Sequence, residues 1–174
     1  MKTKLTYLFF FFISITTTAT ATPILDREFK YYEKNPSGKI ILTSKKEIIV
    51  KIALSADDQI LGLSRIDPKK FKDNDALLFF YKDDEIRSFW MPDTHFNLDI
   101  IFVDKDLKVL HIERNVAHYP RPISNDGSNI REIPTTKGFF CRHVIEMSAT
   151  SPLSKEIKVG DTLNWQPKGQ LTKL

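Results

Sequence analysis

Apolar residues in this chain come in runs of four to eight, and most of these runs read at strand period. In residues 47–54, Ile48, Val50, Ile52 and Leu54 alternate with Glu47 and Lys51, which sets one apolar row on one face of a strand. Residues 40–43 form a short strand before it, and Ser44-Lys45-Lys46 turns one into the other as an antiparallel hairpin. Residues 76–81 (ALLFFY) are continuously apolar, and residues 86–91 alternate Ile86, Ser88 and Trp90 with Arg87, Phe89 and Met91. Residues 99–103 and 107–112 flank Asp104-Lys105-Asp106 as a second hairpin, and residues 142–147 and 161–165 complete the set. One helix is signalled, by Ser55 with Asp58 three residues on and an apolar face of Ile60, Leu61 and Leu63; Asp67-Pro68 closes that segment. Many short strands with one short helix predict a mainly β (α+β) domain. Its mostly antiparallel sheet must curl or pack on itself, barrel-like or as a sandwich.

The first 21 residues have the form of an address. Lys2 and Lys4 precede an apolar run from Leu5 to Ile15, and Ala19-Thr20-Ala21 fits a cleavage site before Thr22. This is the pattern of a secretory signal peptide, too short and wrongly flanked for a membrane span. The expected organisation is therefore a signal over 1–21, a polar linker over 22–39, a domain over 40–165 and a flexible tail over 166–174. A periplasmic or secreted location follows, with nothing spanning the membrane after cleavage.

Removing the signal leaves 24 basic against 22 acidic residues, because Lys2 and Lys4 are its only charged groups. A net charge of +2 with both signs interspersed argues against nucleic acid as partner. Cys141 is the single cysteine, so no internal disulfide can form and the fold must rest on its core. Beside Phe139 and Phe140 that thiol reads as a small buried apolar group.

A polar knot interrupts the strands. Asp93, Thr94 and His95 follow Pro92 and lie next to Trp90, and Asp99 opens the run Ile100-Ile101-Phe102-Val103. A carboxylate at the entrance of a strand buried on both faces must pair with a cation, accept hydrogen bonds or become protonated. Arg65, Arg87, the Thr94 hydroxyl and the N–H groups of residues 92–98 are the candidates, which makes Asp99, Arg65 and Arg87 a structural polar set. Trp90, Asp93, Thr94 and His95 are the candidate ligand-binding residues. Two carboxylates and an imidazole within seven residues would also serve acid–base hydrolysis if Asp93 and Asp99 faced one cleft. His111, His118 and the pair Cys141 and His143 match no metal-ligand spacing. There is also no phosphate-binding glycine loop and no nucleophile elbow, so no cofactor or metal is expected. Between residues 113 and 138 periodicity stops, and Pro120, Pro122 and Pro134 stiffen a long loop.

The block FWMPDTHFNLDIIFVDKD (residues 89–106) resembles the signature of the family called domain of unknown function 192. In that signature Phe-Trp-Met-x-Asn-Thr is followed, after a short gap, by Leu-Asp and an apolar strand. IALSADDQILGLSR, ALLFFY, RHVIEM and IKVGD resemble the family's other segments in the same order, so the likeness spans residues 40–165. Ser64 stands where the family has Met, Ala76-Leu77 where it has Gly-Met, Asp93 where it has Asn, and Asn97 where it has Pro. At position 93 an amide both donates and accepts, whereas Asp93 only accepts. The resemblance implies a small, mostly β, compact domain, frequently exported, and carries no known activity with it. The expected function is a non-catalytic binding or accessory module of the cell envelope, with a small molecule or envelope glycan as partner. The alternatives are a carboxylate-dependent hydrolase of an envelope polymer and a purely structural protein.

Overall fold

The structure is a computed structural model that describes residues 37–168. The expected signal peptide, most of the linker and residues 169–174 of the tail lie outside the described residues. The described residues form nine strands, in order β1 (Ser37–Ile41), β2 (Glu47–Ala53), β3 (Asp75–Phe79), β4 (Glu85–Arg87), β5 (Leu98–Val103), β6 (Val109–Val116), β7 (Phe139–Cys141), β8 (His143–Ser148) and β9 (Asn164–Pro167). Among the described residues two short helices, α1 (Ala56–Leu61) and α2 (Pro152–Glu156), and a 3-10 turn at Ile130–Glu132 complete the order. Strand pairing reaches slightly past the expected domain borders, since Gly38 and Lys39 pair with Pro167 and Gln166.

Seven strands make one sheet in the order β6-β5-β8-β3-β2-β1-β9, and β4 pairs with β7 separately. Every pair is antiparallel except β2 with β3, which run parallel because α1 carries the chain across between them. The sheet curls until Lys108 and Thr162 meet at a single bridge, but its edges β6 and β9 do not pair as strands. It is a mixed, sandwich-like sheet, not a closed barrel.

Period-2 alternation divides the central strands between two cores. Ile101, Val103, Ile145 and Met147 join Ile40, Ile48, Val50 and Leu78 on one side. Leu98, Ile100, Phe102, Val144 and Phe79 face the other way, where Phe89, Met91 and Leu63 cover them. Both β5 and β8 are buried at every residue. Each fully buried Ile, Leu or Phe there contributes about 1.5–3 kcal/mol.

Asp99 lies inside this packing with none of its surface exposed. Its partners are not the expected ones. A β-bulge sets two residues of β6, Arg114 and Asn115, opposite the single Asp99, because Leu98 pairs with Val116 while Ile100 pairs with Glu113. Asn115 takes φ 55°, which an Asn side chain tolerates, and its N–H donates to Asp99 Oδ1 at 2.9 Å. Asp99 Oδ2 accepts from Arg114 (2.7 Å), Ser154 Oγ (2.7 Å) and Lys155 Nζ (2.9 Å). Arg114 continues to the carbonyls of Ser154 and Ile157 at the end of α2. That helix had no expectation attached; Ser151 caps it and Pro152 opens it.

Arg65 instead pairs with Asp93 at 2.9 Å, and Arg87 lies over the Tyr81 ring, donating to the Asp83 carbonyl and to Glu85. The Thr94 hydroxyl turns to the Pro92 carbonyl. Burial alone would raise the Asp99 pKa, but the hydrogen bonds from Ser154, Lys155, the Asn115 N–H and Arg114 outweigh it and hold it below the usual carboxylate range. The Asp99→Ala protein should be less stable by about 3 kcal/mol in urea unfolding. That is the low end for breaking a buried pair, since Arg114 and Lys155 keep some contact with water. Asp93→Asn, beside an exposed arginine, should cost under about 1 kcal/mol; equal losses for the two variants would contradict the assignment of Asp99 as the anchor.

Candidate functional site

Helix α1 is built to start firmly and stop early. Ser55 Oγ accepts from the Asp58 N–H (3.1 Å) while the Asp58 carboxylate reaches back to the Ser55 N–H (3.4 Å), a closed capping box. Gly62 at φ 51° ends the helix after six residues. The predicted apolar face therefore divides: Leu63, beyond the helix, is buried, while Ile60 and Leu61 are 72% and 48% exposed. They form one wall of an open cleft of about 500 Å³. Ser64 and Arg65 continue that wall, and Trp90, Pro92 and Asp93 face it, with Pro122 and Ile123 at the far rim.

The opposite wall is held by backbone pairing with the proline-bearing loop. Met91 N–H donates to the Pro134 carbonyl, Asp93 N–H to the Arg121 carbonyl and Thr94 N–H to the Tyr119 carbonyl, at 2.8–3.1 Å. Trp90 and Thr135 form an isolated bridge, so the predicted strand over 86–91 shrinks to β4 and then runs irregularly along the loop. The loop itself is shorter than expected, because β6 runs to Val116, and it is tied internally by Ser124, Asn129 and the 3-10 turn.

Of the four predicted ligand residues, Trp90 and Asp93 line the open cleft, Trp90 being 43% exposed. Thr94 is buried and lines a smaller inner pocket behind Trp90. His95 lines neither cavity; its Nε2 lies 3.4 Å from Asp93 Oδ1, opposite the Arg65 contact. Asp99 is in neither cavity, and the cations around it leave no lone carboxylate for acid–base work. The hydrolase reading that pairs Asp93 with Asp99 across one cleft does not survive this placement.

The inner pocket, about 30 Å³, has Glu146 among its walls. Glu146 sits on β8 opposite Leu77 and Ile100, is 4% exposed, and its Oε2 has no hydrogen-bond partner. Desolvation pushes its pKa up to about 8. By strand alternation Glu146 faces the side opposite to Asp99: the first has an oxygen without a partner and the second has four donors.

Residues 39–165 match the DUF192 family, described as an uncharacterized ACR. The chain belongs to the DUF192 family. Two crystal structures share the domain's fold. One is of a "putative transcription regulator" from Sinorhizobium meliloti 1021, at 19% identity and TM-score 0.55, covering 74% of this chain and 92% of that one. The other is a protein of unknown function from Novosphingobium aromaticivorans DSM 12444, at 23% identity and TM-score 0.56, covering 74% and 84%. No curated protein matches the chain.

In this DUF192 domain the Phe-Trp-Met to Leu-Asp block serves two purposes, since its first half forms a cleft wall and its last residue anchors the sheet. Glu146 went unnoticed in the sequence although it carries the same signal as Asp99, a lone carboxylate inside an apolar strand (VIEM). Three other buried side-chain nitrogens, Arg87 Nε, His111 Nε2 and Arg142 Nη1, also lack a hydrogen-bond partner, but none of these residues lines the inner pocket. His143 stacks on Phe80, accepts the Tyr81 N–H at 3.1 Å, and is held neutral by burial, its pKa near 3. The Cys141 thiol, at the end of β7 rather than on one strand with His143, is pushed up to about 11 by burial. Among the described residues no three of His, Cys, Asp and Glu group as metal donors, and no helix is long and apolar enough to cross a membrane.

Proposed function

We propose that this DUF192 domain is a non-catalytic binding module of the cell envelope, and that a small molecule or the end of an envelope glycan occupies the cleft between α1 and Trp90. The observation that carries this reading is the cleft itself. Four exposed apolar side chains, Ile60, Leu61, Trp90 and Ile123, gather around it, whereas the other exposed large apolar groups, Ile49, Ile86, Leu110, Ile130, Phe140 and Val159, line no part of it. The Arg65–Asp93 pair at its edge supplies orienting polar contacts, the usual make-up of a ligand site. The envelope location is supported by the signal-like residues 1–21. Material exported from a bacterial host should begin at Thr22 by mass spectrometry, and a cytoplasmic protein retaining Met1 would contradict that location.

The binding role is tested in a thermal-shift screen against glycan fragments, organic acids and amines, with Trp90 fluorescence read in a Trp165→Phe background. A ligand should raise the melting temperature and change Trp90 emission. Trp90→Ala should weaken binding at least about tenfold, as loss of an aromatic anchor does, while the fold persists. If no class of ligand moves either signal, the cleft is not a binding site.

A further inference from the structure

We propose that the inner pocket behind Trp90 takes a primary ammonium group, seated against the Glu146 carboxyl, with its carbon stem lying along the outer cleft. This rests on reading the cleft as a ligand site and names the chemistry of its occupant.

Glu146 is almost fully buried, aimed into the pocket, and has an oxygen with no partner. Native interiors seldom leave such an atom unsatisfied unless something from outside completes it. The inner and outer cavities adjoin, since Ile60, Leu61, Ser64, Trp90 and Pro92 line both. The polar neighbours have their donors spent. Ser64 Oγ and Thr94 Oγ1 both donate to the Pro92 carbonyl (2.8 and 3.3 Å), and Gln59 Nε2 donates to the Ala53 and Phe80 carbonyls (3.3 and 3.2 Å).

What the pocket still offers is lone pairs and apolar rings, so its occupant must bring several donors. An ammonium carries three and fits a space of about 30 Å³. A guanidinium is too broad, and a divalent cation requires several oxygen ligands where one carboxyl stands. Trp90, at the junction of the two cavities, adds an aromatic face for the cation or its stem.

The ionisation of Glu146 gives the binding a signature. Among the described residues lining the pocket it is the sole ionisable group; Leu77 on β3 and Ile100 on β5 face it without charge. Tyr81 is the titrating group that senses its charge, and Asp57, Arg65 and Asp93 line the outer cleft only. With a pKa near 8 the carboxyl is mostly protonated at neutral pH, so an arriving ammonium must expel that proton.

The test is calorimetry on the full chain with butylamine, run at about pH 7 in two buffers of different ionisation enthalpy. Butanol is the neutral control, and N-acetyl-lysine amide stands for the same group on a protein side chain. Butylammonium should bind with release of close to one proton, and its affinity should rise about tenfold between pH 7 and pH 9 as the carboxyl ionises. Butanol should bind at least about tenfold more weakly. Glu146→Gln should cut amine affinity at least about tenfold, with an unchanged or higher melting temperature. Equal binding of butylamine by Glu146→Gln, or binding without proton release, would overturn the proposal. If that variant does not fold, proton release by the unaltered protein decides. Binding of the lysine derivative as well as butylamine points to a partner's side chain, and binding of butylamine alone to a free amine. If amines fail while another ligand moves Trp90 fluorescence, the ammonium assignment falls and the cleft reading stands. If nothing binds, both fall.

Discussion

The Asp99 carboxylate is the junction through which this domain is assembled. It draws donors from three places: the bulge of β6, the hydroxyl of Ser154 and the ammonium of Lys155 on α2. The bulge exists to serve it, since the extra residue in β6 bends the edge strand and aims both the Asn115 N–H and the Arg114 guanidinium at one side chain. Arg114 also satisfies carbonyls at the end of α2, so one ionic cluster fixes the sheet edge, the helix and the entry of β5 together. Because β5 begins at Leu98, the same cluster sets where the preceding loop must stop, and therefore where Trp90 and Asp93 stand.

Glu146 shows the opposite use of a buried carboxyl. Both acids sit in central strands covered on both faces, and both lose their hydration. Asp99 regains it from four donors and stays charged. Glu146 does not, and shifts its pKa upward instead. Their linkage to stability has opposite sign. The contribution of Asp99 is present above its unfolded pKa and disappears as pH falls through its depressed folded value. Glu146 binds its proton more tightly folded than unfolded, so it favours the native state least once pH has risen past about 8. A fold that retains such a group beside a cavity keeps it at a cost, and this is why the inner pocket reads as a place where something docks.

The sequence revealed the strands better than the connections between them. The alternation of Ile48, Val50 and Ile52 placed β2 correctly, and the fully apolar run after Asp99 announced a strand buried on both sides. That Asp99 would be enclosed was legible from the same run. Its partners were not, because the periodicity of β6 breaks at the bulge, and Arg114 and Asn115 then look like loop residues. The end of α1 was misjudged for a similar reason: Gly62 stops the helix before Ile60 and Leu61 can turn inward, and no apolar pattern reports a φ of 51°. Helix α2 is only five residues long and shows no apolar period; its signal was the Ser151-Pro152 start. The sequence offers Trp90, Asp93, Thr94 and His95 as ligand-binding candidates; the first three line a cavity and His95 lines neither, and the outer cavity's second wall comes from residues about thirty positions earlier, which only the fold brings near.

The division of labour between the two carboxyls can be measured in a single carbon-13 NMR titration of the side-chain carboxyls. Asp99 should remain ionised below the usual aspartate range, and Glu146 should keep its proton until pH reaches about 8. Ordinary titration of both groups, near pH 4, would mean that neither the anchoring of the sheet nor the unfilled pocket is as described.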